Sequence, residues 1–555
     1  MNQSYFDEEK AIQSWMAVPD ALKHMGYSDL RNGQKQCLHS IFGGKDTFCI
    51  LPTGGGKTAL AALPTLIFEC QTIIFSPLIA LMKDQVDGLN RKGIRTGAIN
   101  SSQSDVENWN VLQAWIEGRC RILLVAPERI SHPHFQQAIE KAPPGLVVID
   151  EAHTMSKWSN SFRPSYVRCG DFVAQTTPKQ VLALTATATK DIVQDVIRIM
   201  GTTNMAIECH YTERSNLKLS SEFMPNDRDL MPNILSWCRS VKGSVIVYCS
   251  TVKQVAAVTE YLSQAGESVT FYHAQIPDTV RDENQDKFKH DRCRIMVATN
   301  AFGMGIDKPD IECVIHASPP GNIEAIAQEI GRAARDGRDA YCHMIATPSG
   351  FAIQDYFWNL DCPSANTIQR VCSLLYNQRD SNDEIKLKLD EIAELIQDKG
   401  ATSAVNYLVS IGCISRYEPT SKVSTFCVYD KDPSTLKGTR RKIYDAIVTQ
   451  GMQDGHSGAM NPIYKLDLNI LPDLVGVLPA TIMSHIRQLD KDGYLAYTAP
   501  YSGKITKFIR RVTQEELLAA AERRETERHK MLAVREYIEC PHDQKHALLN
   551  KYFTL

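Results

Sequence analysis

The chain has 555 residues, 43% of them hydrophobic and 23% charged. At roughly 100–200 residues per domain, three to five domains are expected rather than one core. Lys and Arg number 61 against 64 Asp and Glu, a net charge of -3, which excludes a uniformly basic nucleic-acid coat but not a local basic groove. The 16 cysteines are scattered with no C-x-x-C pair, and no apolar run reaches the length of a bilayer span. The expectation is a cytoplasmic protein (nucleoid-associated if bacterial) with reduced thiols and no membrane partner.

Over the first 350 residues, short apolar runs alternate with helical stretches: TIIFSPLIALMKDQV at 72–86, ILLVAPERI at 122–130, LVVIDEAH at 146–153 and VLALTATATKDIVQDVIRIM at 181–200. Apolar strands alternating with helices predict parallel sheets covered on both faces, an α/β class. The pattern pauses around 205–235 and restarts with GSVIVYCSTVKQVAAVTEYL at 243–262, so two successive domains of this kind are expected, 1–205 and 206–350. Beyond 350 the pattern becomes helix, helix, hairpin, and it occurs twice. This predicts two winged helices, 351–433 and 434–512, followed by a helical hairpin at 513–555.

LPTGGGKTAL at 51–60 follows an apolar strand and opens a helix. Gly54, Gly55 and Gly56 let backbone N–H groups curl around a phosphate, and the helix N-terminus adds its dipole. Thr53 flanks the cradle, Lys57 can reach the terminal phosphates and Thr58 can ligate Mg²⁺. Leu51 stands where such a loop usually has Gly or Ala, and a turn that binds nothing is the plainer alternative. LVVIDEAH then ends a strand on two carboxylates: Asp150 for Mg²⁺ and Glu151 to polarise the attacking water. QEIGRAARDGRDA at 328–340 puts Arg332 and Arg335 three apart on an expected helix, where guanidinium groups could meet developing γ-phosphate charge. A surface helix with spaced charges is the alternative there.

Taken in order, these segments resemble the RecQ family of superfamily 2 DNA helicases over about residues 20–350. Leu30-Arg31-Asn32-Gly33-Gln34, SPLIALMKDQVD at 76–87, APER at 126–129, TATAT at 185–189, VYCST at 247–251, ATNAFGMGIDKP at 298–309 and QEIGRAARDG all match its motifs. The aromatic-rich TMSKWSNSFRPSY at 154–166 is the most specific of them. The resemblance implies two tandem RecA-like domains with ATP and Mg²⁺ between them, and single-stranded and tailed or forked duplex DNA as partners. It also implies 3′–5′ polarity. Arg31, Gln34, Asp307 and Gln328 would join the nucleotide site, with Gln34 reading adenine. Trp158 and Phe162 would stack on bases, at about 1–3 kcal/mol each, with Arg163 on a phosphate. Ser76, Lys83, Thr251, Lys253, Thr299 and Asn300 would hold the strand backbone without reading sequence.

The chain departs from the family after residue 350, where no four-cysteine zinc spacing follows. KMLAVREYIECPHDQKHALLNKYF at 530–553 resembles the hairpin that opens the family's zinc module, with Cys540 at the first ligand position; His542 and His546 are the only histidines near it. A zinc-free brace is therefore expected. Of the two wings, AYTAPYSGKITKF offers Tyr501 as a strand-separating pin beside Tyr497, Lys504 and Lys507, with a packing or surface tyrosine as the plainer alternative, and the other offers Tyr417 and Lys422. Arg440, Arg441, Arg510 and Arg511 could line a duplex path. Two other readings stay open: a DNA-stimulated translocase that remodels protein–DNA complexes without unwinding, and a winged-helix DNA-binding module on an inactive ATPase scaffold.

Overall fold

The computed structural model describes residues 8–52, 54–77, 79–156, 163–202, 204–210, 214–303, 308–418, 423–453 and 461–553. The chain divides into two units, Met1–Tyr356 with Thr526–Leu555, and Phe357–Glu525.

Among the described residues, the first unit holds two parallel sheets. The strands of one are β1 (Thr47–Ile50), β2 (Thr72–Phe75), β3 (Thr96–Ile99), β4 (Ile122–Val125), β5 (Leu146–Ile149), β6 (Gln180–Thr185) and β7 (Ala206–Cys209), in the order β3-β4-β2-β5-β6-β1-β7. The other has β8 (Leu217–Phe223), β9 (Ser244–Tyr248), β10 (Val269–Tyr272), β11 (Ile295–Ala298), β12 (Ile311–His316) and β13 (Ala340–Ala346), in the order β10-β11-β9-β12-β13-β8. Successive strand residues point to opposite faces, so β5 sends Val147 and Ile149 into one core and Leu146 and Val148 into another. Each such side chain contributes roughly 1.5–3 kcal/mol when fully buried, which is why continuous apolar runs settle as inner strands. The first sheet runs on through β7, paired with β1 from Thr47↔Ala206 to Ile50↔Cys209. The expected boundary at 205/206 therefore falls too early by one strand.

The hairpin near the chain's end belongs to this unit. Val534, Tyr537 and Ile538 of the long helix Gln514–Glu539 join the core of the second sheet, as do Leu549 and Phe553 of the helix Lys545–Phe553. His542 Nε2 lies 3.1 Å from Ser221 O and His546 Nε2 2.9 Å from Leu217 O, so both rings are engaged with the backbone of β8. Among the described residues no group of three His, Cys, Asp or Glu could hold a metal ion.

The second unit corrects the expected domain order. It holds two antiparallel sheets with a core each. One is β14 (Glu384–Ile385), β20 (Ile505–Phe508) and β15 (Ile414–Tyr417), in that order. The other is β17 (Met452–Gln453), β18 (Ile463–Asp467), β16 (Val423–Val428) and β19 (Leu495–Thr498). Neither expected wing is a hairpin. β15 pairs with β20, Ile414 opposite Phe508, and β16 pairs with β19, Phe426 opposite Tyr497. Packing decides this exchange: Phe508 shares a core with Ile368, Leu375 and Ile414, whereas Phe426 and Leu495 share one with Ile443 and Ile486. One three-helix module is thus inserted between β15 and β20 of the other, and the split at 433/434 does not exist as a boundary. The boundary at 513 also moves, since Leu517 and Ala520 of the long helix complete the first of these cores.

Candidate active site

β1 leads through Pro52 to Gly54–Gly56 and the helix Lys57–Ile67. Gly54 and Gly56 have φ of 82° and 78°, a left-handed backbone that glycine adopts without strain. A Cβ on Gly56 would strike Gln34 Nε2, and one on Gly55 would come within 2.9 Å of Pro52 O. The loop is therefore a cradle that side chains would fill. Gln34 holds it: its Nε2 donates to Gly56 O at 3.0 Å, and its Oε1 accepts from Arg31 N at 2.7 Å. The Arg31 guanidinium donates to Gly54 O. Two of the residues predicted for the nucleotide, Arg31 and Gln34, thus shape the phosphate loop itself.

Opposite lies the end of β5. Asp150 is buried and Glu151 sits at φ 49°, ψ 46°, a conformation a non-glycine residue holds only when its surroundings impose it. Lys57 Nζ stands 4.0 Å from Glu151 Oε1. Glu151 Oε2 is buried without a hydrogen-bond partner, with His153 Nδ1 3.4 Å away. His153 in turn meets Thr185 Oγ1 of the TATAT segment at 2.8 Å. Burial, and then the Glu151 charge, push the Asp150 carboxyl above the usual carboxylate range. Burial acts the same way on Glu151, but Lys57, His153 and Arg332 together outweigh it and keep that carboxyl low. Burial, against the pull of Glu151, holds the His153 imidazole below its ordinary value. Two adjacent carboxyls pushed apart in acidity suit different tasks. The cradle, the lysine, the half-buried Thr58 and this carboxylate pair fit a nucleotide phosphate with its Mg²⁺.

The second α/β domain brings its arginines to this point. Arg332 is buried and donates to Gly303 O, and its charge acts on Glu151. A Cβ on Gly54 would lie 3.7 Å from Arg335 Cγ. The helix Ile323–Ile330 ends before both, so Arg332 and Arg335 sit on the turn that follows, with Ala334 at φ 42°, and not on a helix as predicted. Gln328 Nε2 donates to Thr187 Oγ1 at 3.2 Å, joining the two domains.

A model of the DEAD/DEAH box helicases matches residues 31–196, and a helicase conserved C-terminal domain matches 227–337. The probable ATP-dependent DNA helicase RecS of Bacillus subtilis (strain 168) is 34% identical over 365 residues, 65% of this chain and 73% of its own length. The chain belongs to the RecQ family. ATP-dependent DNA helicase RecQ of the same strain is 36% identical over 335 residues, 60% of this chain, and the chain spans 56% of that relative's length. Among solved structures, the DUF1998 helicase MrfA bound to DNA aligns with a TM-score of 0.51 at 17% identity, covering 75% of this chain and 59% of that one; the likeness is one of fold.

Of the other residues expected from RecQ motifs, Thr53, Trp158, Phe162 and Asp307 lie outside the described residues. Arg163 caps the helix Pro164–Thr176 and donates to Pro77 O at 2.6 Å, tying the end of the aromatic-rich segment to the SPLIALMKDQVD segment. Ser76 corrects the prediction: it is fully buried and its N–H closes onto Val125 O at 3.1 Å, out of reach of a surface strand. Lys83, Lys253 and Asn300 are exposed, Thr299 is half-buried, and Thr251 caps the helix Val252–Gln264.

In the second unit, Tyr501 folds back so that its hydroxyl donates to Lys504 O at 3.4 Å on a turn joining two sheets, not at a hairpin tip. Arg440 pairs with Asp492, Arg441 with Asp445 and Arg510 with Glu516, while Arg511 lies over the Tyr376 ring. One contributor had no signal in the sequence. Arg214 donates to Gly331 O and Ala333 O at 3.3 and 2.8 Å and also to Ala334 O, holding the arginine turn by its carbonyls. Nothing in the spacing around Arg214 marks it; only the folded turn does.

Proposed function

We propose that this protein is an ATP-dependent DNA helicase that moves 3′–5′ along single-stranded DNA and opens tailed or forked duplexes. The observation that carries the reading is the meeting of Arg332 and Arg335 with the Gly54–Gly56 loop and Glu151 of the other domain. Hydrolysis then depends on the two domains being together, as a motor requires. Lys57 would hold the terminal phosphates, and Glu151, kept ionised, would take the proton of the attacking water. Arg332 and Arg335 would meet charge spreading onto the transferred phosphoryl group. Thr58 and Asp150 would hold Mg²⁺, which screens phosphate charge. His153 Nδ1 meets Thr185 Oγ1 and lies 3.4 Å from Glu151 Oε2, and Gln328 ties the arginine-bearing segment to Thr187 two residues further on, so the carboxylate lies beside the segment that the second domain grips. Exposed Lys83, Lys253 and Asn300, with Trp158 and Phe162, are the proposed grip on the strand. The names of the RecS and RecQ relatives support DNA and ATP as its ligands.

A second reading is a DNA-stimulated translocase that displaces bound protein without opening duplex. It is favoured by one observation, Tyr501 folded onto its own turn instead of projecting as a pin. Phosphate release measured with and without single-stranded DNA, alongside strand separation, decides between them. Stimulated release with unwinding supports the helicase; stimulated release without unwinding favours the translocase. No release from the wild type contradicts both.

A further inference from the structure

The helix Ile323–Ile330 leads directly into the turn bearing Arg332 and Arg335. Ile323, Ile326 and Ile330 are buried in the core of the second sheet. Glu324 is not part of that apolar face, and one of its carboxylate oxygens, Oε2, is buried with no hydrogen-bond partner. The other, Oε1, accepts a hydrogen bond at 3.1 Å from the Tyr552 hydroxyl of the C-terminal hairpin. Burial raises the Glu324 carboxyl above its ordinary range, and Lys530 of the hairpin opposes this.

The same hairpin is tied in at two further points. His546 Nε2 bonds to Leu217 O at the start of β8, three residues after Arg214, whose guanidinium holds the arginine turn. Cys209 Sγ, on β7 of the other domain, donates to Phe553 O at 3.3 Å. A small cavity beside Leu549 is bordered by Pro52, Thr187 and Gly331, so the hairpin's last helix stands where the phosphate loop, the TATAT segment and the arginine turn converge.

We propose that Tyr552 and Glu324 form a phenol–carboxyl latch through which the C-terminal hairpin positions the arginine turn for ATP hydrolysis. Both are positioning residues: neither borders the phosphate cradle. Without the phenol the Glu324 carboxyl keeps only its own backbone N–H, with Oε2 still buried and unpartnered, an arrangement that is poorly tolerated. The helix must then shift to hydrate it, and it carries Arg332 and Arg335 with it. A small displacement of groups that meet the transition state lowers turnover far more than it lowers substrate binding. The inference rests on the proposed ATPase reading.

The test is steady-state ATP hydrolysis by the full chain with saturating single-stranded DNA, in wild type, Tyr552→Phe, Glu324→Gln and the double variant. Tyr552→Phe should lower kcat by about an order of magnitude and leave KM for ATP within about twofold. Glu324→Gln keeps an acceptor for the phenol and should turn over close to wild type. The double variant should be no worse than Tyr552→Phe alone, because the two act on one contact. Wild-type kcat in Tyr552→Phe overturns the latch, as does a loss of kcat in Glu324→Gln equal to that in Tyr552→Phe. Absence of hydrolysis in the wild type would instead overturn the ATPase reading on which the latch rests.

Discussion

The two units are built on opposite kinds of strand pairing, and the charges gathered at the first unit's site differ from the paired arginines of the second. Among the described residues of the first unit every strand is parallel, and the functional groups sit at strand ends or on the turns just beyond them: the Gly54–Gly56 loop after β1, Asp150 and Glu151 after β5. There, buried charges of both signs converge and perturb one another. In the second unit the pairing is antiparallel and joins segments far apart in sequence, as in Ile414 opposite Phe508. Two of its arginines are neutralised locally, Arg510 by Glu516 and Arg441 by Asp445. A parallel-sheet site concentrates unsatisfied charge where substrate can enter, which is a mark of function. Paired surface charges are mostly a mark of solvation.

The contrast can be broken most sharply at Arg332. Its replacement by Ala should lower kcat for ATP hydrolysis by about 10³-fold or more, the scale on which a guanidinium at a transferring phosphoryl group acts. Arg332→Lys should not restore it, since an ammonium lacks the planar fork. Phosphate release under saturating ATP and DNA reads this directly, and a fall below tenfold would remove Arg332 from the site. Next comes the exchanged pairing of the second unit. Phe508→Ala should cost about 3–5 kcal/mol and loosen the amides of Ile368–Leu375 in hydrogen exchange while sparing Ile443–Ile447. The opposite pattern would restore two modules in sequence order.

The smallest effect belongs to Glu516, whose carboxyl the Arg510 guanidinium and the Thr513 N–H hold down to about 2. Its folded value is depressed, so its contribution is present above the ordinary glutamate range and is lost as pH falls toward 2. Because the pair is partly solvated, Glu516→Gln should cost under about 1 kcal/mol at pH 7. Denaturant unfolding of variant and wild type should converge near pH 2; a constant difference across that range would contradict the assignment.

The same contrast explains what could be read from residue order. Phosphate loop, carboxylate pair and strands were legible because each lies within a dozen residues and carries its own apolar run and turn. Arg332 and Arg335 were legible as chemistry but not as geometry, since Gly331 and Ala334 end the helix by a turn that helical spacing conceals. Ser76 failed as a strand contact because its motif continues a buried strand. The exchange of β16 and β20 was hidden: both follow stretches of sequence that carry Ser and Lys, and only packing of Phe426 and Phe508 into different cores separates them. Arg214 and Tyr552 act on carbonyl and carboxyl groups more than a hundred residues away, and no local pattern encodes that.

The most direct test of the central claim is strand separation of a 3′-tailed against a 5′-tailed fluorescent duplex with ATP, using Glu151→Gln as the blank. The account predicts opening of the 3′-tailed substrate alone, abolished by Glu151→Gln. Opening of the 5′-tailed duplex instead, or opening that survives Glu151→Gln, would contradict it.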